Sequence, residues 1–167
     1  MKTTLRLMLV FFVTLLLSCG GKEEEKKEQV TVVKKEKTVK KDTPKSTSVK
    51  ASEKVDLTNK GVGPITSLTL NDGIDQALAT EGAEVFKKMC TACHRPNKKF
   101  IGPAPSGILE RRTPEWVMNM ILDPEGMVKN DPLAKELLIE FNGSPMANQN
   151  LTEEEARAVL EYFRTLK

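Results

Sequence analysis

Residues 90–94 read Cys-Thr-Ala-Cys-His, and His94 is the only histidine in the chain of 167 residues. The preceding stretch, residues 82–89, reads Gly-Ala-Glu-Val-Phe-Lys-Lys-Met, a pattern that predicts a helix running directly into the motif. Two thiols and one imidazole within five residues leave a structural zinc site short of its usual four ligands. A thioredoxin-like dithiol would follow a strand, which the helical flank does not favour.

The spacing of these three side chains is that of covalent haem c attachment. Thiols three positions apart can form thioethers with the two vinyl groups at one porphyrin edge, and the imidazole that follows can bind the iron. The sequence therefore predicts one haem c held by Cys90, Cys93 and His94, with zinc and dithiol chemistry as the alternatives. Because no second histidine exists, a second protein ligand to the iron must be a residue of another type.

The start of the chain indicates export. Residues 1–18 combine a short basic beginning with an apolar run over 7–17, which predicts a signal peptide too short to be a comfortable membrane span. The sequence Leu-Leu-Ser-Cys at 16–19 resembles a bacterial lipobox, and this resemblance implies cleavage before Cys19 and acylation of that residue. An uncleaved anchor helix is the alternative. Both interpretations suit a haem protein that matures outside the cytoplasm, on the periplasmic side of a membrane or at the cell surface.

Residues 20–56 are dense in Lys and Glu and contain no aromatic residue, Leu or Ile. The apolar surface of this segment is too small to offset the conformational entropy that folding would cost. We therefore expect residues 19–56 to be a flexible linker that connects the lipid to a domain over 57–167. The basic surplus of the chain lies in this N-terminal part, because residues 57–167 hold 13 Lys and Arg against 15 Asp and Glu. That balance argues against nucleic-acid binding.

Helical signals dominate residues 57–167 and predict an all-α fold. Pro114 at a first helical position and a capping box at Thr152 are strong start signals, and an apolar stripe at helical spacing follows Thr152. Four helices are expected, over about 74–90, 113–123 and 131–141 and in a segment that opens at 152.

From about residue 80 to 166 the chain resembles a class I cytochrome c. In that family a helix ending at the haem motif crosses a C-terminal helix, and a glycine on the first lets an aromatic residue of the second approach closely; Gly82 and Tyr162 match these positions. The resemblance implies a cytochrome c fold around one covalent haem c. It also implies that the carbonyl of Pro103, in the sequence Ile-Gly-Pro at 101–103, accepts a hydrogen bond from His94, with Pro105 as the competitor.

The same resemblance implies a distal methionine ligand. Met146 follows Gly-Ser-Pro at 143–145 just before the last helix, where the family places this ligand, although the usual family order is Met-Pro and here Pro145 comes first. Met127 and an iron without a second protein ligand are the alternatives. Trp116 matches a position where an indole N–H can donate to a haem propionate, or it packs on a helix face.

These residues favour a one-electron carrier rather than an enzyme, because His and Met together leave no open iron position. The stretches 111–116 and 145–152 resemble small lipoprotein cytochromes that accompany nitrous-oxide reductase systems, which implies redox partners in respiration. Five cations are candidates for steering an acidic partner, with pairing to the haem propionates and plain solvation as the alternatives: Arg95, Lys98, Lys99, Arg111 and Arg112. The alternatives are a haem enzyme or gas sensor with an open iron, and an anchored subunit of an oxidase complex.

Overall fold

The computed structural model describes residues 49–167, and within them it contains five α-helices and no strand. The signal peptide, Cys19 and most of the expected linker lie outside the described residues. The elements are α1 (Gln76–Met89), a 3-10 turn (Ile108–Glu110), α2 (Pro114–Leu122), α3 (Pro124–Asn130), α4 (Pro132–Glu140) and α5 (Glu153–Thr165). In the part of the chain that the structure describes, no helix has the length and apolar character needed to span a membrane.

Each helix begins at a side-chain cap. A backbone N–H inside the first turn donates to the side chain of the residue just before each helix, which satisfies a donor that would otherwise lack a partner. The caps are Asp75, Thr113, Asp123, Asp131 and Thr152, and Thr152 forms the complete capping box with Glu155. The all-α prediction is confirmed, as are all four expected helices.

Helix α3 was not expected from the sequence. Asp123-Pro124 reads as the end of the preceding helix, and α2 does end at Leu122. The same two residues also start a helix, because the carboxylate of Asp123 accepts from the N–H of Gly126 at 2.9 Å and Pro124 occupies the first position. Asp-Pro at 123–124 is therefore both the end of α2 and the start of α3.

Helices α1 and α5 pack against each other at Gly82. A methyl group at this position would lie 1.9 Å from the carbonyl oxygen of Ala158, so only glycine allows the two backbones to come this close. The expected partner, Tyr162, lies further along α5, where its ring centroid is 5.4 Å from that of Phe86. The resemblance therefore located the glycine correctly, but the nearest atoms to Gly82 belong to the α5 backbone rather than to an aromatic ring.

Residues 49–70, here called the N-terminal strap, run along the helices without regular secondary structure. The guanidinium of Arg112 is only 1% exposed and donates to the carbonyls of Ala51, at 2.6 Å, and Lys54. The N–H of Ser52 donates to Glu140 at 2.8 Å. Residues 51–54, which belong to the linker expected from the sequence, thus contact side chains of the helical part through their backbone groups.

Further along the strap, side chains of α2 form the hydrogen bonds that the backbone would otherwise form with a neighbouring strand. The amide of Asn119 pairs with both backbone groups of Ile65 at 2.9 Å. The carboxylate of Glu115 accepts from the N–H of Leu68 at 3.2 Å and pairs with Lys60 at 3.1 Å. Buried backbone groups need such partners, and α2 supplies them.

Candidate functional site

A cavity of about 270 Å³ lies between α1, the loop after it, α2, α4 and the loop before α5, and its walls are mostly apolar. Six residues were expected from the sequence to contact the cofactor, and all of them line this cavity: Cys90, Cys93, His94, Pro103, Trp116 and Met146. The fold thus brings together positions that span 57 residues of sequence.

The two cysteines and the histidine lie in a tight turn at the end of α1. Cys90 closes the helix, its N–H donating to Phe86 at 2.9 Å, and the N–H groups of Cys93 and His94 both donate back to the Cys90 carbonyl. Burial raises the pKa of the Cys90 thiol to about 11, with the neighbouring Cys93 as a second cause. A redox dithiol needs the opposite shift, towards the thiolate, so the structure does not favour that alternative.

The imidazole of His94 is held on one side by the Gly-Pro turn. Its Nδ1–H donates to the carbonyl of Pro103 at 2.8 Å, as expected, whereas the Pro105 carbonyl accepts from Ile108 instead. A methyl group on Gly102 would lie 2.5 Å from Cε1 of His94. With Nδ1 as the donor, Nε2 carries the free lone pair, which is the arrangement of an imidazole prepared to bind a metal.

The two candidate methionine ligands have different surroundings. Met146 is half-buried and lines the cavity together with His94. Met127 is fully buried, does not line the cavity, and its sulfur accepts the N–H of Val62 in the strap at 3.1 Å. Of the two thioethers, only that of Met146 is therefore placed to reach a group in the cavity.

Trp116 lines the cavity but does not offer its N–H to it. The indole is 3% exposed, and Nε1 donates to Oδ1 of Asp131 at 3.2 Å. A buried carboxylate, 15 residues further along the chain, accepts this hydrogen bond, and donation to a haem propionate stays a prediction. Trp116 contributes an apolar face to the wall of the cavity.

The five cations expected around the site divide into two groups. Arg112 is buried against the strap, and the half-buried Arg111 donates to the carbonyls of Ser106 and Gly107. Burial lowers the pKa of Arg112, while Asp56 and Asp131 act in the opposite direction. Arg95 and Lys99 stack on aromatic rings, those of Phe100 and Phe141, and the exposed Lys98 lies beside them in sequence.

The residues present fit a covalent haem c. Two thiols line an apolar cavity, and so does an oriented imidazole whose Nε2 lone pair is free. The thioethers of Met89 in α1, Met120 in α2 and Met146 line the same space. Among residues 49–167, no cluster of three or more His, Cys, Asp or Glu side chains is arranged to hold a metal ion by itself. The donor set thus matches an iron porphyrin better than a bare metal.

Comparison with known proteins agrees with this geometry. Residues 79–167 match the family model for cytochrome c. The chain is 32% identical over 90 residues to cytochrome c2 of Rhodocyclus tenuis, an alignment that covers 53% of this chain and 95% of that protein.

Two solved structures have the same fold. A cytochrome c from Rhodothermus marinus is 41% identical, with a TM-score of 0.60 over 70% of this chain and 92% of its own. An engineered variant of that cytochrome, described with a bound carbene intermediate, is 40% identical, with a TM-score of 0.58 over 70% of this chain and 93% of its own. The chain belongs to the cytochrome c family and binds one covalent haem c.

Proposed function

We propose that this protein is a membrane-tethered periplasmic one-electron carrier in which Cys90 and Cys93 hold the porphyrin and His94 and Met146 ligate the iron. The observation that carries the proposal is that His94 and Met146 line one cavity while Pro103 orients the imidazole. Haem c supplies the one-electron chemistry when bound, and the protein supplies ligation, burial and access.

The surroundings of His94 suit a carrier. The Pro103 carbonyl and the close backbone of Gly102 hold the imidazole in one orientation. Its bond to the iron therefore needs little rearrangement when the oxidation state of the iron changes. A thioether as the second ligand favours the reduced state relative to a second imidazole. With both positions taken, small molecules have no free site on the iron, which opposes the enzyme and gas-sensor alternatives.

The mouth of the cavity is the proposed site of contact with redox partners. Ile101 lines the cavity and is 47% exposed, Phe100 precedes it in sequence and is 46% exposed, and the exposed Lys98 and Lys99 lie next to them in sequence. An apolar patch flanked by cations fits a partner with an apolar contact area surrounded by acidic residues. We place a respiratory terminal reductase or oxidase in this role, with nitrous-oxide reductase as the specific candidate because of the resemblance of residues 111–116 and 145–152.

The test is an absorption spectrum of the purified holoprotein in both oxidation states, with and without carbon monoxide. We expect a low-spin spectrum with a sulfur-to-iron charge-transfer band in the ferric form, and no change when carbon monoxide is added to the ferrous form. A high-spin spectrum that shifts at once with carbon monoxide would contradict the proposal, because it would show an open iron position. The enzyme or gas-sensor alternative would then be favoured.

A further inference from the structure

The carboxylate of Asp131 has more partners than a helix cap requires. Asp75 and Asp123 cap α1 and α3 from more exposed positions, and Asp131 caps α4 in the same way, accepting from the N–H of Ala134 at 2.7 Å. Asp131, however, is only 4% exposed. A cap alone does not need burial of a carboxylate, which costs free energy unless several donors compensate it.

Those additional donors come from two other parts of the molecule. The indole of Trp116 donates to Oδ1 of Asp131 at 3.2 Å, and the side-chain amide of Asn59, in the strap, donates to Oδ2 at 2.7 Å. The guanidinium of Arg112 lies over the Trp116 ring, 5.2 Å from its centroid. The carboxylate therefore connects the strap, α2 and α4 at one buried point.

This point lies directly behind the wall of the haem cavity. Trp116 and Ala134 both line the cavity, and both donate to the same oxygen of Asp131. Only the side chain of Trp116 and the backbone of Ala134 thus separate the negative charge of Asp131 from the haem cavity. Water is largely excluded from this position. Charges act over longer distances in such an environment than at the surface.

From this arrangement we propose that Asp131 is a positioning residue that lowers the reduction potential of the haem and fixes the Trp116 wall. The oxidised haem carries one more positive charge than the reduced haem, so a buried carboxylate close to it stabilises the oxidised form. Donors from Asn59, Trp116 and Ala134 keep the carboxylate in place. These donors and the opposite charge of the buried Arg112 limit the field of Asp131 without cancelling it. The inference rests on the electron-transfer function proposed above.

The test compares Asp131→Asn with Glu136→Gln in the full-length holoprotein. Both substitutions remove one negative charge from α4, but Glu136 is exposed and pairs with Lys54 of the strap. We expect Asp131→Asn to raise the midpoint potential, and Glu136→Gln to change it by a clearly smaller amount. Damage to the pocket alone would admit water and lower the potential, so an upward shift separates the effect of the charge from a merely structural role.

A second readout follows the hydrogen bond itself. Trp116 is the only tryptophan in the chain, so its indole N–H gives a single nuclear magnetic resonance signal that needs no further assignment. This signal should move upfield in Asp131→Asn and stay in place in Glu136→Gln. A Trp116 signal that does not respond to Asp131→Asn would overturn the contact on which the inference depends.

Asp131→Ser and Asn59→Ala provide two further tests in case Asp131→Asn fails to fold. Serine retains a capping oxygen for α4 but carries no charge, so it should raise the potential as asparagine does. Asn59→Ala leaves the cap and Trp116 untouched and removes one donor, so the less compensated carboxylate should lower the potential. Equal shifts for Asp131→Asn and Glu136→Gln, a fall in potential for Asp131→Ser, or no shift for Asn59→Ala would each overturn the inference. An absent charge-transfer band in the unmodified protein would instead contradict the proposed ligation.

Discussion

Gly102 shows how much of the site depends on a single missing methyl group. The imidazole of His94 lies so close to this position that a Cβ would approach Cε1 to 2.5 Å, well inside contact distance. Glycine at 102 therefore allows the ring to lie flat against the turn, with Nδ1 within reach of the Pro103 carbonyl. The orientation of the imidazole that we propose as an iron ligand follows from the backbone of 102–103 rather than from the histidine itself.

The distal ligand can be tested at the same scale. Met146→Ala should abolish the sulfur-to-iron charge-transfer band of the ferric protein and lower its reduction potential, because the thioether that favours the reduced iron is lost. Absorption spectra and a redox titration would measure both effects.

Met127→Leu is the matched control for this substitution. It replaces a fully buried methionine by a residue of similar volume, so we expect the band to remain and the free energy of unfolding to fall by less than about 1.5 kcal/mol. If the band disappears in Met127→Leu and survives in Met146→Ala, the ligand assignment is wrong.

At the scale of the elements, the contact between α1 and α5 supports the attachment motif. Phe86, on the α1 turn before Cys90, is 3% exposed and packs edge-on against Phe163 of α5, with ring centroids 5.7 Å apart. The same Phe86 lines the haem cavity. The position of the cysteines relative to the cavity thus depends on how closely the two helices approach.

Gly82→Ala should separate these helices. Its methyl group would lie 1.9 Å from the Ala158 carbonyl, and because that atom belongs to the backbone, the helix as a whole must shift. We expect the free energy of unfolding to fall by about 1–3 kcal/mol or more, measured by chemical denaturation.

Gly73→Ala is the control, because a methyl group there has no neighbour within 4 Å. Its stability should change by less than about 1 kcal/mol. Equal losses in the two variants would show that the close approach at Gly82 does not limit stability.

Across the whole molecule, buried carboxylates hold the strap and the segment that follows it against the helices. Glu161 of α5 is fully buried and accepts from the N–H of Asp75 at 2.9 Å, from Arg157 at 2.6 Å and from Arg164 at 2.7 Å. Arg164 in turn donates to the carbonyls of Asn71 and Gly73. Through the carboxylate of Glu161, α5 therefore fixes the position of the residues at which α1 begins.

This arrangement predicts acid sensitivity. Burial alone would raise the pKa of Glu161, but the hydrogen bonds from Arg157 and Asp75 and the charges of both arginines hold it below the ordinary value of 4.5. A carboxylate with a lowered pKa in the folded state stabilises the protein above the unfolded value, and this stabilisation is lost as the pH falls below 4.5 and through the folded value. Unfolding curves from pH 7 down to pH 3 should show that loss.

Glu161→Gln isolates the contribution of this residue. The variant should be about 1–3 kcal/mol less stable at pH 7, since the arginines lose their charged partner, and its stability should change less below pH 4.5. Glu153→Gln, an exposed change on the same helix, should leave the pH dependence as it is. A pH dependence in Glu161→Gln identical to that of the unmodified protein would contradict this account.

Local spacing by itself determined the chemistry of this protein. The attachment residues lie within five positions of one another and the helix caps act on their own first turns, whereas the proposed ligand Met146 was implied by the resemblance to class I cytochrome c. Pro103 also lies only nine residues from its imidazole partner. The attachment spacing and the caps depend on neighbours in sequence, so they can be inferred before any packing is known, while the expectations for Pro103 and Met146 come from the resemblance.

Only the tertiary structure decided the roles of Trp116, Arg112 and Met127. The indole donates to Asp131, the guanidinium holds the strap, and the Met127 sulfur accepts from the N–H of Val62. Each outcome depends on a contact between residues 15 to 65 positions apart. Tryptophan, arginine and methionine each suit several environments, and only the packed chain selects one of them.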